Sequence, residues 1–173
     1  MVENPRFEDQ KRKCLANLTA EMIDEPIAGI VAGFNNLPCC FTLQSCFGHF
    51  LFPGQEDPFC CDPLPEISLD VQVEYKIAYL AFCLENSDPG KSLLEAFRKV
   101  TLIDPDNIQL CSPDWFWERQ VNTFALQVEP DRFKHSDQAV LGFEEALNLE
   151  EIRNKFFRAL KRLSGSPPPR PNL

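Results

Sequence analysis

Leu69 to Glu85 reads LDVQVEYKIAYLAFCLE and restricts the fold more than any other stretch of the chain. Val71, Val73 and Tyr75 alternate with Gln72, Glu74 and Lys76, the period of a strand with one face in the core. From Ile77 to Leu84 the alternation gives way to a nearly continuous apolar run, which suits a central strand covered on both faces. Such a strand needs neighbours at its edges and layers packed over it, so the other segments must supply both strands and helices. With 173 residues, 44% of them apolar, the chain is long enough to do this within one domain.

The segments on either side fit that demand. Phe7, Cys14, Leu15, Leu18 and Met22 form a helical stripe over Phe7–Met22. Asp24 and Glu25 precede Pro26, and Ile27, Ile30, Val31 and Phe34 follow at helical spacing, so a second helix ends near Asn35 and Asn36. Phe41 and Leu43 alternate with Thr42 and Gln44 as a strand that breaks at Gly48 and resumes at Phe50 to Phe52. Gln55 to Glu66 holds three prolines and no period, the signature of a long loop. Asp88 and Pro89 read as the N-cap and first residue of a third helix whose stripe is Leu93, Leu94, Phe97 and Val100.

Strands are then expected in NIQLCS and in VNTFALQVE, where Phe124, Leu126 and Val128 share a face. Pro130 to Asp137 reads as a charged loop. Ala139 to Leu163 reads as one long helix, either continuous or broken near Asn148, which has capping-box spacing to Glu151. The tail SGSPPPRPNL has polyproline character. The expected architecture is therefore α+β: a single domain over residues 1–163 with a mixed or antiparallel sheet, two N-terminal helices and a long C-terminal helix, followed by a flexible tail, 164–173.

Twenty-six acidic and 17 basic residues leave a net charge of −9, which gives the whole chain no attraction for a phosphate backbone or an anionic membrane. No segment approaches the roughly 18 uninterrupted apolar residues of a spanning helix, and the N-terminus is not of signal-peptide type. A cytoplasmic location is expected, with the eight cysteines reduced.

Thiol and imidazole groups are concentrated in Cys39, Cys40, Cys46, His49, Cys60 and Cys61, which raises a metal site, although only Cys46 and His49 have the separation of a ligand pair. Cys46 with His49 also suggests an activated thiol, for which His135 would be a distant partner. Trp115 and Trp117 offer a stacking face for a base, or the edge of a core. Glu85, Asn86 and Ser87 follow the most apolar strand, where polar ligands of α/β sites lie and where turn and capping residues lie as well.

One resemblance bears on these candidates. Phe7 with its Lys-rich helix, Ile23-Asp24, the Ile-containing helix, Phe34-Asn35, and Phe41-Thr42 leading to Ser45-Cys46-Phe47-Gly48-His49 resemble the start of the tRNA wybutosine-synthesizing protein 3 family. Its motif there looks like Thr-Ser-Ser-Cys-Ser-Gly-Arg; Gln44, Phe47 and His49 stand in place of Ser, Ser and Arg. The resemblance implies an α+β protein similar to S-adenosylmethionine-dependent methyltransferases that act on a modified guanosine in tRNA. Small hydroxyls and a glycine let backbone N–H groups approach a carboxylate or phosphate. A neutral imidazole at position 49 does not replace a guanidinium.

The expectation is a distant relative of that family, with a small-ligand or nucleotide-like site at Thr42, Ser45, Cys46, Gly48 and His49, the parent reaction open to loss. S-adenosylmethionine is the implied cofactor and tRNA a partner that the acidic charge disfavours. The alternative is a non-catalytic metal-binding or interaction protein in which Cys46, His49 and the Cys60-Cys61 loop hold zinc or iron. In a third reading the hairpin is purely structural.

Overall fold

The computed structural model describes residues 1–66, 70–112, 120–130 and 138–165. Among them, strands β1 (Cys40–Cys46), β4 (Ala78–Leu84), β6 (Thr123–Val128) and β5 (Ile108–Cys111) make one antiparallel sheet, in the order β1-β4-β6-β5. Strands β2 (His49–Leu51), β3 (Gln72–Lys76) and β7 (Gln138–Gly142) make a second, in the order β2-β3-β7. The helices are α1 (Phe7–Asn17), α2 (Glu25–Asn36), α3 (Asp88–Val100) and α4 (Phe143–Leu163). The class is α+β, as expected, and both sheets are antiparallel.

Strand β4 takes the central place that its apolar run demands, between β1 and β6. Phe82, Leu80 and Leu84 face a core closed by α2, α3 and α4, in which the Phe82 and Phe97 rings lie 4.2 Å apart and Phe34 meets Phe97 at 5.2 Å. On its other face Cys83 packs with Phe41 under Phe7 of α1. This two-sided cover is why the sequence shows no alternation there.

Within that stretch Gln72–Leu84 is two strands in two sheets, however, and not one. The alternating half is β3, the continuous half is β4, and the chain changes sheet at Ile77. The buried Tyr75 hydroxyl holds that corner: it accepts from the Ala78 N–H and donates to the Val128 carbonyl, both at 3.0 Å. Tyr75→Phe leaves both groups without that partner, and we expect a loss of about 1–3 kcal/mol in urea unfolding. A loss under about 0.5 kcal/mol would mean the corner is held by packing alone.

The β1-to-β2 connection makes the same change of sheet at Phe47 and Gly48, so Cys46 and His49 end and begin strands of different sheets. Within β1 the register slips between Thr42 and Gln44. This bulge puts Cys46 opposite Tyr79 rather than on the Phe82 face that Cys40 and Thr42 share.

Three boundaries depart from the sequence reading. The first helix stops at Asn17 and not at Met22; Leu18 is extended, and Met22 lies 65% exposed in a short 3-10 turn, Ala20–Met22, because Phe7 is the only residue of the helix that is buried. Ser87, not Asp88, is the N-cap of α3, its hydroxyl accepting from the Gly90 N–H. Ala139–Gly142 is not helical: it pairs with β3 as β7, and α4 starts at Phe143. Helix α4 then runs unbroken through Asn148, since Leu149 and Ile152 carry the buried stripe across it. His135, Trp115, Trp117 and the tail from residue 166 onward lie outside the described residues.

Candidate metal centre

Asp24 is the N-cap of α2, yet its carboxylate makes no capping bond to that helix. It turns instead toward the β1–β2 turn, where Oδ2 accepts from the Phe47 N–H at 2.6 Å and lies 3.4 Å from Nε2 of His49. Cys46, at the end of β1, completes the group: the donor atoms of Asp24, Cys46 and His49 all lie within 4.8 Å of one another. Three elements meet here because the β1–β2 turn passes the start of α2, where its Phe47 N–H takes the Asp24 carboxylate.

The imidazole is oriented from its far side. Nδ1 of His49 lies 3.2 Å from the carbonyl oxygen of Cys60, an acceptor only, so Nδ1 carries hydrogen and donates. In the neutral ring this leaves the lone pair on Nε2, aimed at Asp24 and Cys46. A backbone carbonyl on the outer nitrogen is the usual way a metal-binding histidine is held. A tetrahedral zinc ion with nitrogen and oxygen ligands at about 2.0–2.1 Å holds those atoms about 3.3 Å apart. The Nε2–Oδ2 distance of 3.4 Å already matches.

Without a metal the same geometry favours a proton. The hydrogen bond to Asp24, then that to Cys46, push the His49 pKa up to about 10 against the opposing effect of burial. Burial penalises the Asp24 charge, but the hydrogen bonds from His49 and Phe47 outweigh it and its carboxyl titrates below its ordinary value. His49 is 3% exposed, whereas Cys46 and Asp24 are half-buried, so an ion can approach from the Asp24 side.

Behind the turn stands Arg153 of α4, 2% exposed. Its Nη1 donates to the Gly48 carbonyl at 2.8 Å, its Nη2 reaches Glu150 at 3.3 Å, and its guanidinium lies 4.1 Å over the Phe47 ring. Phe47 in turn stacks on Phe157 at 5.3 Å. Glu150 also accepts from the Leu64 N–H at 3.0 Å, so one pair on α4 holds both the turn and the end of the long loop.

The motif residues part company around this centre. Cys46, Gly48 and His49 converge. Thr42 sits further back in β1, where its N–H and hydroxyl both donate to Oδ1 of Asn35, and Ser45 pairs with Leu80. The turn's own N–H groups, the ones suited to an anionic ligand, are engaged by the chain: Phe47 by Asp24, and Gly48 by the Cys46 sulfur at 3.4 Å. Cys60 enters through its carbonyl, and the Cys60 and Cys61 thiols lie outside the three-residue group. Cys40 is buried at the start of β1, its pKa driven far up by desolvation. Glu85, Asn86 and Ser87 serve as turn and cap: the Glu85 N–H bonds to the Cys39 carbonyl, and the Asn86 amide donates to Glu3.

Asp24 and Arg153 carry roles that the sequence reading did not assign them. An acid ahead of a Pro-containing helix start looks like any N-cap. Arg153 did leave a signal: it interrupts the stripe Leu149, Ile152, Phe156, Phe157, Leu160 at a position that should be apolar.

No family model and no curated protein matches the chain. Solved structures do. The structure of PH1069 protein from Pyrococcus horikoshii aligns with 16% identity and a TM-score of 0.52 over 92% of this chain and 93% of that one. The fold is shared with PH1069. A second structure of that protein, from Pyrococcus horikoshii OT3, aligns with 16% identity and a TM-score of 0.51 over 94% and 93%. A hypothetical protein from Aeropyrum pernix aligns at 13% identity and a TM-score of 0.47.

Proposed function

We propose that this protein binds a divalent transition-metal ion through Asp24, Cys46 and His49, as a diverged, non-catalytic relative of the tRNA wybutosine-synthesizing protein 3 family. The observation that carries this reading is the Asp24 carboxylate. It forgoes its helix cap to occupy the turn where an anionic ligand would bind, and it brings a third donor to the Cys46–His49 pair. One thiolate, one imidazole and one carboxylate suit zinc, with iron as the next choice. The protein's place of action in this reading is the cytoplasm; all eight cysteine thiols stand free, as a reducing compartment would keep them, and no helix among the described residues is long and apolar enough to cross a membrane.

We expect purified protein to carry zinc near one equivalent per chain by elemental analysis, and chelation to lower its melting temperature. Cys46→Ser and Asp24→Asn should each lose most of that zinc while keeping the far-ultraviolet circular dichroism spectrum. Metal-free wild-type protein that gains no thermal stability from added zinc would overturn the reading.

The motif itself favours a second reading, S-adenosylmethionine held at Thr42, Ser45, Cys46, Gly48 and His49 with a nucleotide-like or tRNA substrate. In that case S-adenosylmethionine at 100 times its dissociation constant stabilises the metal-free protein by about 2.7 kcal/mol. The engaged N–H groups of Phe47 and Gly48 weigh against it.

A further inference from the structure

Three donors leave one vertex of a tetrahedron open, and the loop between Phe52 and Glu66 touches the same imidazole through Cys60 and Phe59. We propose that Cys61 is the fourth ligand, so that the ion closes the loop onto the body and is held as a structural rather than a catalytic metal; this rests on the metal reading above.

The loop is already fastened on both sides of Cys61. Ahead of it, the Cys60 carbonyl accepts from His49 Nδ1 at 3.2 Å, and the exposed Phe59 ring meets His49 edge-on at 5.8 Å with the Lys76 ammonium 5.0 Å above it. Beyond it, the Leu64 N–H donates to Glu150, the partner of Arg153. Cys61 therefore lies on a short arc between two anchors that both belong to the site.

Its thiol is lightly engaged, by a 3.5 Å S–H contact to the Phe59 carbonyl. A turn of χ1 gives up little. The side chain is half-buried and packs against the core rather than turning to solvent. The carbonyl of Cys60 is committed to the outer nitrogen of the same ring, so the two residues serve the ion in different ways: Cys60 orients His49, and Cys61 ligates. On coordination two Zn–S bonds and one Zn–N bond would form as the S–H protons of Cys46 and Cys61 and the Nε2 proton of His49 leave to solvent, and the site becomes Cys46, Cys61, His49, Asp24. Four protein ligands are what a structural zinc site uses.

Titration of chelated protein with Co(II) alone tests this, because tetrahedral cobalt reports each thiolate by charge-transfer absorption. Wild-type protein should give the tetrahedral visible bands and a charge-transfer band that falls by half in Cys61→Ser and is unchanged in Cys60→Ser. Zinc affinity in Cys61→Ser should fall by at least about tenfold, with the fold intact by circular dichroism. A full band in Cys61→Ser, or a halved band in Cys60→Ser, overturns the assignment of Cys61 and leaves the Asp24–Cys46–His49 site standing. Failure of wild-type protein to bind cobalt or zinc overturns both. A visible spectrum of octahedral cobalt with one thiolate also rules out Cys61.

Discussion

Gly48→Ala lowers stability by about 2–6 kcal/mol in urea unfolding and removes metal binding with it. Gly48 has φ +87°, where an L residue is strained by about 1–3 kcal/mol. A methyl group there would also sit 2.7 Å from Cβ of Ala78 and 3.1 Å from that residue's Cα and N. Gly48 and Ala78 are the points where the two sheet-changing connections touch, so relief of the clash must pull the sheets apart. Overpacking of this kind adds about 1–3 kcal/mol. Gly48→Ala with Ala78→Gly should recover the part due to the Cβ–Cβ contact and keep the part due to φ. A single variant with unchanged stability would show that the turn can reshape freely, and with it that Cys46 and His49 are not held in place.

Arg153→Met should cost about 3–5 kcal/mol, the range for breaking a buried pair from one side. It leaves Glu150, 12% exposed, without its guanidinium, and the Gly48 carbonyl without its donor. Methionine keeps much of the apolar contact with Phe47 and Phe50, so the loss reports the polar contacts rather than a cavity. Lysine should not rescue it, because one ammonium cannot match a planar fork that reaches Gly48, Glu150 and Asn154 at once while lying over a ring. Glu150→Leu in the Arg153→Met background should restore the part due to the stranded carboxylate, since a buried ion pair and an apolar pair of similar volume are often equivalent, while the Gly48 carbonyl and the Leu64 N–H stay without their partners. A single-variant loss below about 1 kcal/mol would mean the turn does not depend on α4.

Gly48 and Arg153 differ in how far local sequence reveals their roles. Gly48 announces itself, because a glycine after a strand and before an apolar run marks a turn. Its contact with Ala78 does not, because thirty residues separate them and only the meeting of two connections makes them neighbours. Arg153 breaks a helical stripe, which flags a buried charge, but the identity of its partner on the β1–β2 turn depends on how α4 crosses the second sheet. Asp24 is the hardest case. Its sequence context is that of a cap, and what distinguishes it is a side-chain direction that appears only once the turn at Phe47 offers a better donor than the helix does.

Local pattern by itself determined the α+β class, the central place of Ile77–Leu84, the second and third helices, and Cys46 with His49 as the residues to watch. These follow from hydrophobic period, capping chemistry and turn residues, all of which act between neighbours in the chain. Tertiary structure decided the rest: the split of Gln72–Leu84 between two sheets, the capture of Ala139–Gly142 as a strand, and the gathering of Asp24, Cys46 and His49 with the Cys60 carbonyl behind the ring. Those outcomes depend on which backbone edges were left unpaired and which buried polar groups needed partners. Both are settled between segments far apart in the chain, where no period or spacing records them.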